Sequence, residues 1–450
     1  MKKNSSDMKV AIVGMGFVGL SLAIVLASKG VHVIGIEHEK SKLELLKKGK
    51  STFYEPNLEK MLQESLQNKK LEFFASTEEV FGIVDVIFVT VGTPTTDGTI
   101  NLSAMKSAIS SLGKFLSTST QSPLIVIKST IAPGTTERII IPLLEKFSKK
   151  KLGHGFFLAT NPEFLREGSA IFDQLNPHAI VIGSADKKSE EILMNFYEKT
   201  YPSNIARISV NFPTSEMIKY ANNAFLATKI SFINTISNLC QKIPNTNVDV
   251  VARSIGRDPR IGSEFLKAGA GYGGSCLPKD LDSFISVYKK YGLKPILFES
   301  VKKVNSFQIR EIICLMKQKI QNLKGKSISI LGLAFKENSD DVRESTSIKL
   351  VQKLLQEKCK IKVHDPMAIP NAKRIFKNKI FYFDSIEDCL ENSDCVIIMT
   401  PWAQYTKLNS KNFQKMRNSL IIDTRRILTN SDMDADYMAL GISNDRESSK

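Results

Sequence analysis

The chain has 450 residues, and its 62 Lys and Arg against 46 Asp and Glu give a formal net charge of +16. This length exceeds one ordinary hydrophobic core, so more than one domain is expected. With 42% hydrophobic and 24% charged residues, the composition is that of a soluble globular protein. No apolar run reaches the roughly 18 residues that a membrane-spanning helix needs, which excludes an integral membrane protein of the helical kind.

The positive charge raises the possibility of a nucleic-acid partner. The lysines alternate with glutamates along predicted helices such as 40–48, however, and no RNA- or DNA-binding signature is present. We therefore predict solvated helix faces, with a positive potential that attracts anionic small ligands. The six cysteines are scattered without metal-ligand spacing, and Met1–Asp7 leaves no room for a signal peptide. These features predict a cytoplasmic protein with no metal, membrane or nucleic-acid partner.

The first motif is a strand, a glycine-rich turn and a helix. Lys9–Val13 leads into Gly14-Met-Gly16-Phe-Val-Gly19, and an apolar helical segment follows. Here Gly14 permits a tight turn, Gly16 lets a pyrophosphate approach the backbone, and Gly19 lets the helix pack closely on the strand. The motif predicts a dinucleotide site, and a phosphate-free α/β turn is the alternative.

An acidic residue closes the second predicted strand. Strand 31–36 ends at Glu37, where a carboxylate accepts hydrogen bonds from the adenosine ribose and repels a 2′-phosphate. Glu37 therefore predicts NAD as the cofactor rather than NADP.

The alternation of strands and helices predicts an α/β fold with two Rossmann-like, doubly wound domains joined by a long central helix. That helix is expected from Thr214 to about Asn238, and the second domain restarts at Ser327 without a GxGxxG turn. The polar end Met433–Lys450 is expected to fray. The predicted strands are 9–13, 31–36, 72–74, 85–91, 124–128, 156–159 and 179–183, then the strand from 327, 360–364, 380–383, 395–399 and 420–423.

A glycine-rich stretch, Ala270–Asp280, carries a single cysteine, Cys276. Glycines let the backbone approach a substrate closely, because no Cβ stands in the way. A cysteine near Lys279 tends to ionise, and the carboxylate of Asp280 can manage a proton. A purely structural cysteine is the alternative for this motif alone, but the dinucleotide motif in the same chain favours a catalytic one.

With these two motifs, six further blocks resemble the UDP-glucose/GDP-mannose dehydrogenase family in order and spacing, over nearly the whole chain. The blocks are Ile127–Thr135, Asn161–Ala170, Glu216–Ile230, Asp258–Gly262, Phe265–Gly269 and Gly332–Lys336. The resemblance implies an NAD-binding domain (1–205), a central helical dimerisation domain with the cysteine loop (206–310), a UDP-sugar-binding domain (311–435) and a polar tail (436–450). It also implies a homodimer or higher homo-oligomer in which Arg260 reaches the neighbouring subunit's site.

The resemblance further implies oxidation of a nucleotide-sugar primary alcohol to a carboxylate, which removes two hydrides and uses two NAD+ in turn. Cys276 would be the nucleophile that forms first a thiohemiacetal and then a thioester. Lys219 and Asn223 lie four residues apart on the predicted long helix, so they share a face and would stabilise an oxyanion. Asp280 would manage the proton of a water molecule.

Glu163 and Glu167 also lie four residues apart, and such a pair can divide general-base and positioning roles. The resemblance gives Glu163 a part in thioester hydrolysis, with Thr130 holding the water, and places Glu167 near the nicotinamide. By pattern alone, these polar pairs also fit solvent-exposed helix faces, and Asp280 also fits a helix N-terminal acid.

Ligand contacts are likewise implied by the resemblance. Cofactor contacts are expected from Gly14, Gly16, Phe17, Val18, Gly19, Glu37, Lys42, Thr93, Thr130, Glu167, Lys279 and Arg343. Substrate contacts are expected from Glu163, Phe164, Leu165, Lys219, Asn223, Arg260, Phe265, Leu266, Lys267, Ala268, Gly269, Gly273 and Lys336. The Arg425–Arg426 pair fits either an anion site or a surface position, and no histidine is assigned a role.

One block departs from the family. Relatives commonly have Pro-Asp-Arg where this chain has Pro177-His178-Ala179, which puts a local contact in doubt. The motifs most resemble the branch that converts UDP-glucose to UDP-glucuronate, with a UDP-N-acetylhexosamine or GDP-mannose as the alternative substrate. Two other classes stay open: an inactive, basic nucleotide- or RNA-binding module, and an alcohol dehydrogenase that removes a single hydride.

Overall fold

The computed structural model describes residues 8–77, 84–96, 98–428 and 436–443. Contacts between Cα atoms divide the chain into two compact units. Unit 1 comprises Met1–Asn222 and Asp282–Tyr291, and unit 2 comprises Asn223–Leu281 and Gly292–Lys450. The three-domain division predicted from the sequence stays a prediction.

Unit 1 is built around a mostly parallel sheet. The strands of unit 1 are β1 (Lys9–Val13), β2 (His32–Ile36), β3 (Leu71–Phe74), β4 (Val86–Val89), β5 (Thr95–Thr96), β6 (Thr99–Ile100), β7 (Leu124–Ile127), β8 (Lys151–Leu152), β9 (Gly155–Thr160), β10 (Ala179–Ser184) and β11 (Ala206–Val210). The main sheet has the order β11-β10-β9-β7-β4-β1-β2-β3, with β8 beside β9 and a separate β5–β6 hairpin. Strand β10 pairs antiparallel with β9 and parallel with β11.

The carboxyl ends of β9, β7, β4, β1 and β2 meet at one edge of this sheet, because these neighbouring strands are parallel. Along β1, Val10 and Ile12 belong to one core cluster, whereas Ala11 and Val13 belong to another. Both faces of the sheet are therefore buried, as expected of a doubly wound sheet. The dinucleotide and acid motifs follow these strands, so the topology brings them to the same edge.

The helices of unit 1 fill the connections between these strands. They are α1 (Phe17–Ser28), α2 (Lys40–Lys47), α3 (Leu58–Gln67), α4 (Ser103–Thr118), α5 (Ile141–Ser148), α6 (Ala170–Leu175) and α7 (Lys187–Thr200). The predicted long helix is α8 (Phe212–Cys240), and the boundary between the units falls within it.

Unit 2 contains a second parallel sheet. Its strands are β12 (Ser327–Leu331), β13 (Lys360–His364), β14 (Phe381–Tyr382), β15 (Cys395–Ile398), β16 (Leu420–Asp423) and β17 (Asp436–Ala439), in the order β14-β13-β12-β15-β16-β17. The remaining α-helices among the described residues are α9 (Val248–Gly256), α10 (Leu277–Lys290), α11 (Ile296–Lys319), α12 (Thr346–Gln356), α13 (Ile369–Phe376), α14 (Ile386–Leu390) and α15 (Ser410–Phe413).

Two edge strands differ from the sequence-based expectation. Strand β11 was not predicted, because its Ala206–Val210 sequence is largely exposed and lacks an apolar run. The prediction of a fraying end from Met433 was wrong for Asp436–Ala439, because all four residues pair in parallel with β16, and Met438 and Ala439 are buried. Residues 433–435, 444–450 and Met1–Asp7 lie outside the described part. Within that part, no helix combines the length and apolarity needed to span a bilayer.

Candidate active site

The glycine turn after β1 has the geometry that a dinucleotide requires. Gly14 has a φ of +97°, and a Cβ on Gly19 would lie 1.9 Å from the Gly14 carbonyl oxygen. A Cβ on Gly16 would meet nothing within 4 Å, so the backbone there is open to an incoming phosphate. Gly16 precedes α1 without a side-chain cap, which leaves the first N–H groups of α1, including those of Phe17 and Val18, to bind an anion.

Glu37 follows β2 at the same edge of the sheet. Its side chain is buried, and its carboxylate accepts hydrogen bonds from the Met15 N–H at 3.3 Å and the Glu39 N–H at 3.0 Å. These bonds fix the carboxylate next to the glycine turn, where it suits a ribose diol. Lys42 pairs with Glu39 at 2.6 Å, and it lies on α2 five residues after Glu37.

Two threonines join neighbouring strand ends. Thr90 Oγ1 donates to the Gly14 carbonyl at 2.7 Å, and Thr93 Oγ1 donates to the Thr130 carbonyl at 2.7 Å. The ends of β1, β4 and β7 are thus tied together around the predicted cofactor residues Thr93 and Thr130. The described residues of unit 1 therefore fit NAD in fold, backbone geometry and the acid after β2.

A buried ion pair lies beyond the ends of β7 and β9. Lys219 Nζ is 3.0 Å from Glu163 Oε1, with both side chains almost completely buried. The same Nζ lies 5.5 Å from the centre of the Phe164 ring, and the Leu165 N–H donates to Glu163 Oε2 at 2.5 Å. The structure thus brings four of the sequence-predicted substrate residues into one cluster.

Charge around Glu163 decides its protonation. Burial opposes ionisation most strongly, but the Lys219 ammonium, then the Leu165 N–H, outweigh it and hold the pKa of Glu163 below its usual range. The carboxylate is therefore ionised at neutral pH and can accept a proton from water. Glu167, in contrast, is half-buried on the segment before α6.

Lys128 is a cluster member that the sequence reasoning missed. It is fully buried directly after β7, its Nζ donates to Asn161 Oδ1 at 2.8 Å, and burial lowers its pKa to about 8. Asn161 in turn donates to the Val181 carbonyl at 2.8 Å. The available signal was a lysine immediately after a four-residue apolar strand, at the edge of the sheet where ligands bind.

The cysteine loop lies in unit 2. Cys276 is half-buried immediately before α10, whose N-terminus favours negative charge. One turn later, Asp280 accepts a hydrogen bond from Asn223 Nδ2 at 2.6 Å and pairs with Lys279 Nζ at 2.5 Å. Asp280 is nearly inaccessible to solvent, so Asn223 and Lys279 fix its orientation. Lys219 and Asn223 are four residues apart on α8, as predicted.

The glycine-rich backbone before Cys276 is held by side chains. Asn305 of α11 accepts from the Tyr272 N–H at 2.8 Å and donates to the Tyr272 carbonyl at 2.9 Å. Gly269 N–H donates to Asn234 Oδ1 at 2.8 Å. A Cβ on Gly273 would lie 2.4 Å from the Glu344 carbonyl oxygen, which explains glycine at this predicted substrate contact.

The segment Phe265–Gly269 has a mixed orientation. Leu266 and Ala268 pack in a core cluster with α8 and α9, Lys267 is exposed, and Phe265 has a φ of +63°. Contacts of Leu266 and Ala268 with a ligand would therefore come from their backbone rather than their side chains.

The predicted arginine and lysine contacts differ in exposure. Arg260 and Arg343 are exposed and form bidentate pairs with Asp258 and Asp341, respectively. Lys336 is half-buried in the turn after β12.

The sequence left open whether Arg425 and Arg426 form an anion site or lie at the surface, and the structure gives the two residues different contacts. Arg426 has a structural role, because its guanidinium binds Asp249 and the carbonyls of Ala268 and Leu440. The Arg425 guanidinium lies against Gly269, where a Cβ would come within 2.6 Å of Nη1.

All three domain models of one family match the chain. The NAD binding domain of the UDP-glucose/GDP-mannose dehydrogenase family matches residues 8–201, the central domain 213–307 and the UDP binding domain 329–430. The chain belongs to this family. Its cofactor is NAD, in agreement with the glycine turn and Glu37, and it is an NAD-dependent oxidoreductase.

Known relatives agree with this assignment. UDP-glucose 6-dehydrogenase YwqF of Bacillus subtilis is 38% identical over 94% of both chains. The structure of a UDP-glucose dehydrogenase from Pyrobaculum islandicum is 33% identical, with a TM-score of 0.91 over 98% of this chain and 100% of that one. A UDP-D-ManNAc dehydrogenase from Pyrococcus horikoshii is 26% identical, with a TM-score of 0.85 over 96% and 99%.

Proposed function

We propose that this chain oxidises the C6 alcohol of UDP-glucose to the carboxylate of UDP-glucuronate. The observation that carries the proposal is Cys276 at the start of α10, one turn before an Asp280 held by Asn223 and Lys279. An enzyme that stops at the aldehyde needs no nucleophile, whereas an enzyme that reaches the acid needs a group to retain the aldehyde. The names of the UDP-glucose dehydrogenases described above support the glucose substrate.

The residues divide the reaction between them. NAD+, when bound, accepts a hydride in each of the two oxidations. The Cys276 thiolate adds to the aldehyde carbon to give a thiohemiacetal, which loses the second hydride to become a thioester. Lys219 and Asn223 supply positive charge and an N–H donor for the developing oxyanion. In the hydrolysis of the thioester, the Thr130 hydroxyl holds the attacking water, and the ionised Glu163 accepts a proton from it.

The stoichiometry of NADH tests this proposal. UDP-glucose should yield two NADH for each acid formed, and UDP-N-acetylglucosamine, UDP-N-acetylmannosamine and GDP-mannose should react much more slowly. One NADH with aldehyde release would identify a simple alcohol dehydrogenase. Preference for another sugar would refute the substrate. RNA binding at moderate salt, with no NADH from any nucleotide-sugar, would instead identify an inactive binding module.

We also propose that the enzyme acts in the cytoplasm as a homodimer or higher homo-oligomer. Phe225, Phe232 and Leu239 of α8 are exposed by 64%, 50% and 56%, respectively. Their seven-residue spacing places them on one stripe of the helix, and such a stripe suits a second copy of the same helix. Arg260, exposed in its turn, would then serve the site of the neighbouring subunit.

A further inference from the structure

We propose that a cleft in unit 1 binds the water that feeds thioester hydrolysis, with Thr160 and Ser215 as its positioning residues. This inference rests on the proposed function. The cleft lies between the ends of β7 and β9 and the first turns of α8, and it has room for about one water molecule. It is lined by Ile127, Ser129, Thr130, Ile131, Thr160, Pro162, Ser215, Glu216 and Lys219.

Two hydroxyl groups in the cleft lack hydrogen-bond partners among the described residues. They are Thr160 Oγ1 and Ser215 Oγ, both almost completely buried. A buried hydroxyl without a partner is destabilising, and native proteins usually satisfy such groups with an ordered water. Both hydroxyls line the same space, so a single water can satisfy both.

Gly183 packs directly against both side chains. A Cβ at this position of β10 would lie 2.1 Å from Thr160 Oγ1 and 3.0 Å from Ser215 Oγ. The two oxygens are therefore at most about 5 Å apart, a separation that one water spans with two ordinary O–H···O bonds. Any larger residue at position 183 would therefore force the Thr160 and Ser215 side chains to move.

The cleft is lined by Thr130 and Lys219, two of the residues assigned to the reaction. Thr160 precedes the Asn161-Pro162-Glu163 turn, and Ser215 lies four residues before Lys219 on one face of α8. Thr130, half-buried, lines the same cleft. A water held by Thr160 and Ser215 is thus adjacent to Thr130 and to the turn that carries Glu163, and it can replace each water that is consumed.

Only the last chemical step consumes water. The water oxygen bonds to C6 as the bond from C6 to Cys276 Sγ breaks, and the products are a carboxylate, the Cys276 thiol and one proton. The two preceding oxidations transfer hydrides and need no water. Removal of both hydroxyls should therefore slow hydrolysis and leave the oxidations intact.

The test is pre-steady-state kinetics of Thr160→Val/Ser215→Ala with UDP-glucose and NAD+. We expect a rapid burst of two NADH per Cys276, then a steady-state rate reduced about tenfold. Intact mass should show the sugar bound covalently to the protein during the slow phase. A role confined to stability would change neither the burst nor the adduct. Thr160→Ser, which keeps the hydroxyl, should restore the steady-state rate.

Thr200→Val is the matched control, because Thr200 is also buried in unit 1 but donates to the Phe196 carbonyl at 2.9 Å. It should turn over like the wild type. A double variant with wild-type turnover and no adduct, or with a burst below two NADH, would overturn the inference. If the double variant does not fold, the NADH burst, the steady-state rate and the covalent adduct of Ser215→Ala alone test the inference. A wild type that produces no NADH from UDP-glucose would instead refute the proposed function.

Discussion

The six cysteines of this chain carry the same thiol group, but they differ in burial and in the charges near them. Burial raises the pKa of Cys359 to about 11 and that of Cys389 to about 12, so these thiols are poor nucleophiles at neutral pH. Cys314 is exposed on α11, and only Cys276 combines partial exposure with a helix N-terminus and an adjacent acid and lysine. The position of Cys276 therefore distinguishes it better than its residue type does.

Cys276→Ser should separate binding from chemistry. A serine hydroxyl is a far poorer nucleophile at neutral pH, so acid formation should fall by orders of magnitude while NAD and UDP-glucose bind normally. Rates of NADH formation and isothermal titration with each ligand measure the two effects. Cys314→Ser, on an exposed helix face, should leave both unchanged. Near wild-type acid production by Cys276→Ser would remove this cysteine from the mechanism.

Lys128 should give the protein a stability that depends on pH. Its folded pKa of about 8 lies below its ordinary value of 10.5, so between these values the unfolded chain binds more protons. The free energy of unfolding then rises with pH across this window, by roughly 3 kcal/mol for this group. Below pH 8 the buried charge is destabilising.

Lys128→Met tests this sign. Urea denaturation at pH 7 and pH 10 should show the wild type gaining stability relative to the variant as pH rises. Comparison across pH largely cancels the lost hydrogen bond to Asn161, which is absent at both values. Lys60→Met, on the exposed face of α3, should have the same free energy of unfolding as the wild type at both pH values. A constant difference between wild type and Lys128→Met would contradict the assignment.

At the scale of elements, the packing of α1 on β1 and β4 depends on two glycines with different tasks. Gly19→Ala would force a Cβ to within 1.9 Å of the Gly14 carbonyl oxygen, whereas Gly16→Ala meets open space. We expect Gly19→Ala to lower the melting temperature and weaken NADH binding at least tenfold, because the helix must move away from the sheet.

Gly16→Ala should keep the wild-type melting temperature and still bind NADH weakly, because its methyl group occupies the path of the pyrophosphate. Differential scanning fluorimetry and NADH fluorescence measure the two properties separately. A stable Gly19→Ala, or a Gly16→Ala with normal affinity, would show that the turn does not work as described.

For the whole molecule, the exposed stripe on α8 predicts that assembly depends on that helix. Phe232→Asp places a charge in the stripe and should convert the oligomer into monomers, as measured by light scattering after gel filtration. Phe381→Asp is the matched control, because Phe381 is exposed to a similar degree on the edge strand β14. Retention of the oligomer by Phe232→Asp would place the interface elsewhere.

The sequence predicted the positions of strands and helices better than it predicted which strands pair with each other. After Lys9, β1 consists of apolar, mostly β-branched residues, as does the whole of β7, and α8 lacks glycine and proline beyond its first turn, so local pattern was sufficient. The short edge strand β17 has only four residues, and its parallel partner confers the order.

The contacts of the site depend on folding over long sequence separations. Glu163 and Lys219 are 56 residues apart in the chain, and periodicity within either segment carries no information on their ion pair. Lys128 escaped prediction for the same reason, since only the folded chain brings Asn161 within 2.8 Å of its ammonium group.

The Asn305 side chain has a consequence for the motion of the nucleophile's loop. The loop belongs to no strand or helix, yet Asn305 binds both the N–H and the carbonyl of Tyr272, and the Gly274 N–H donates to the Arg343 carbonyl at 3.0 Å. The amide protons of Tyr272 and Gly274 should therefore exchange with deuterium as slowly as those of a core strand. Asn305→Ala should accelerate the exchange of Tyr272 while β12 keeps its protection. A loop ordered in this way before the substrate arrives loses little conformational entropy on binding.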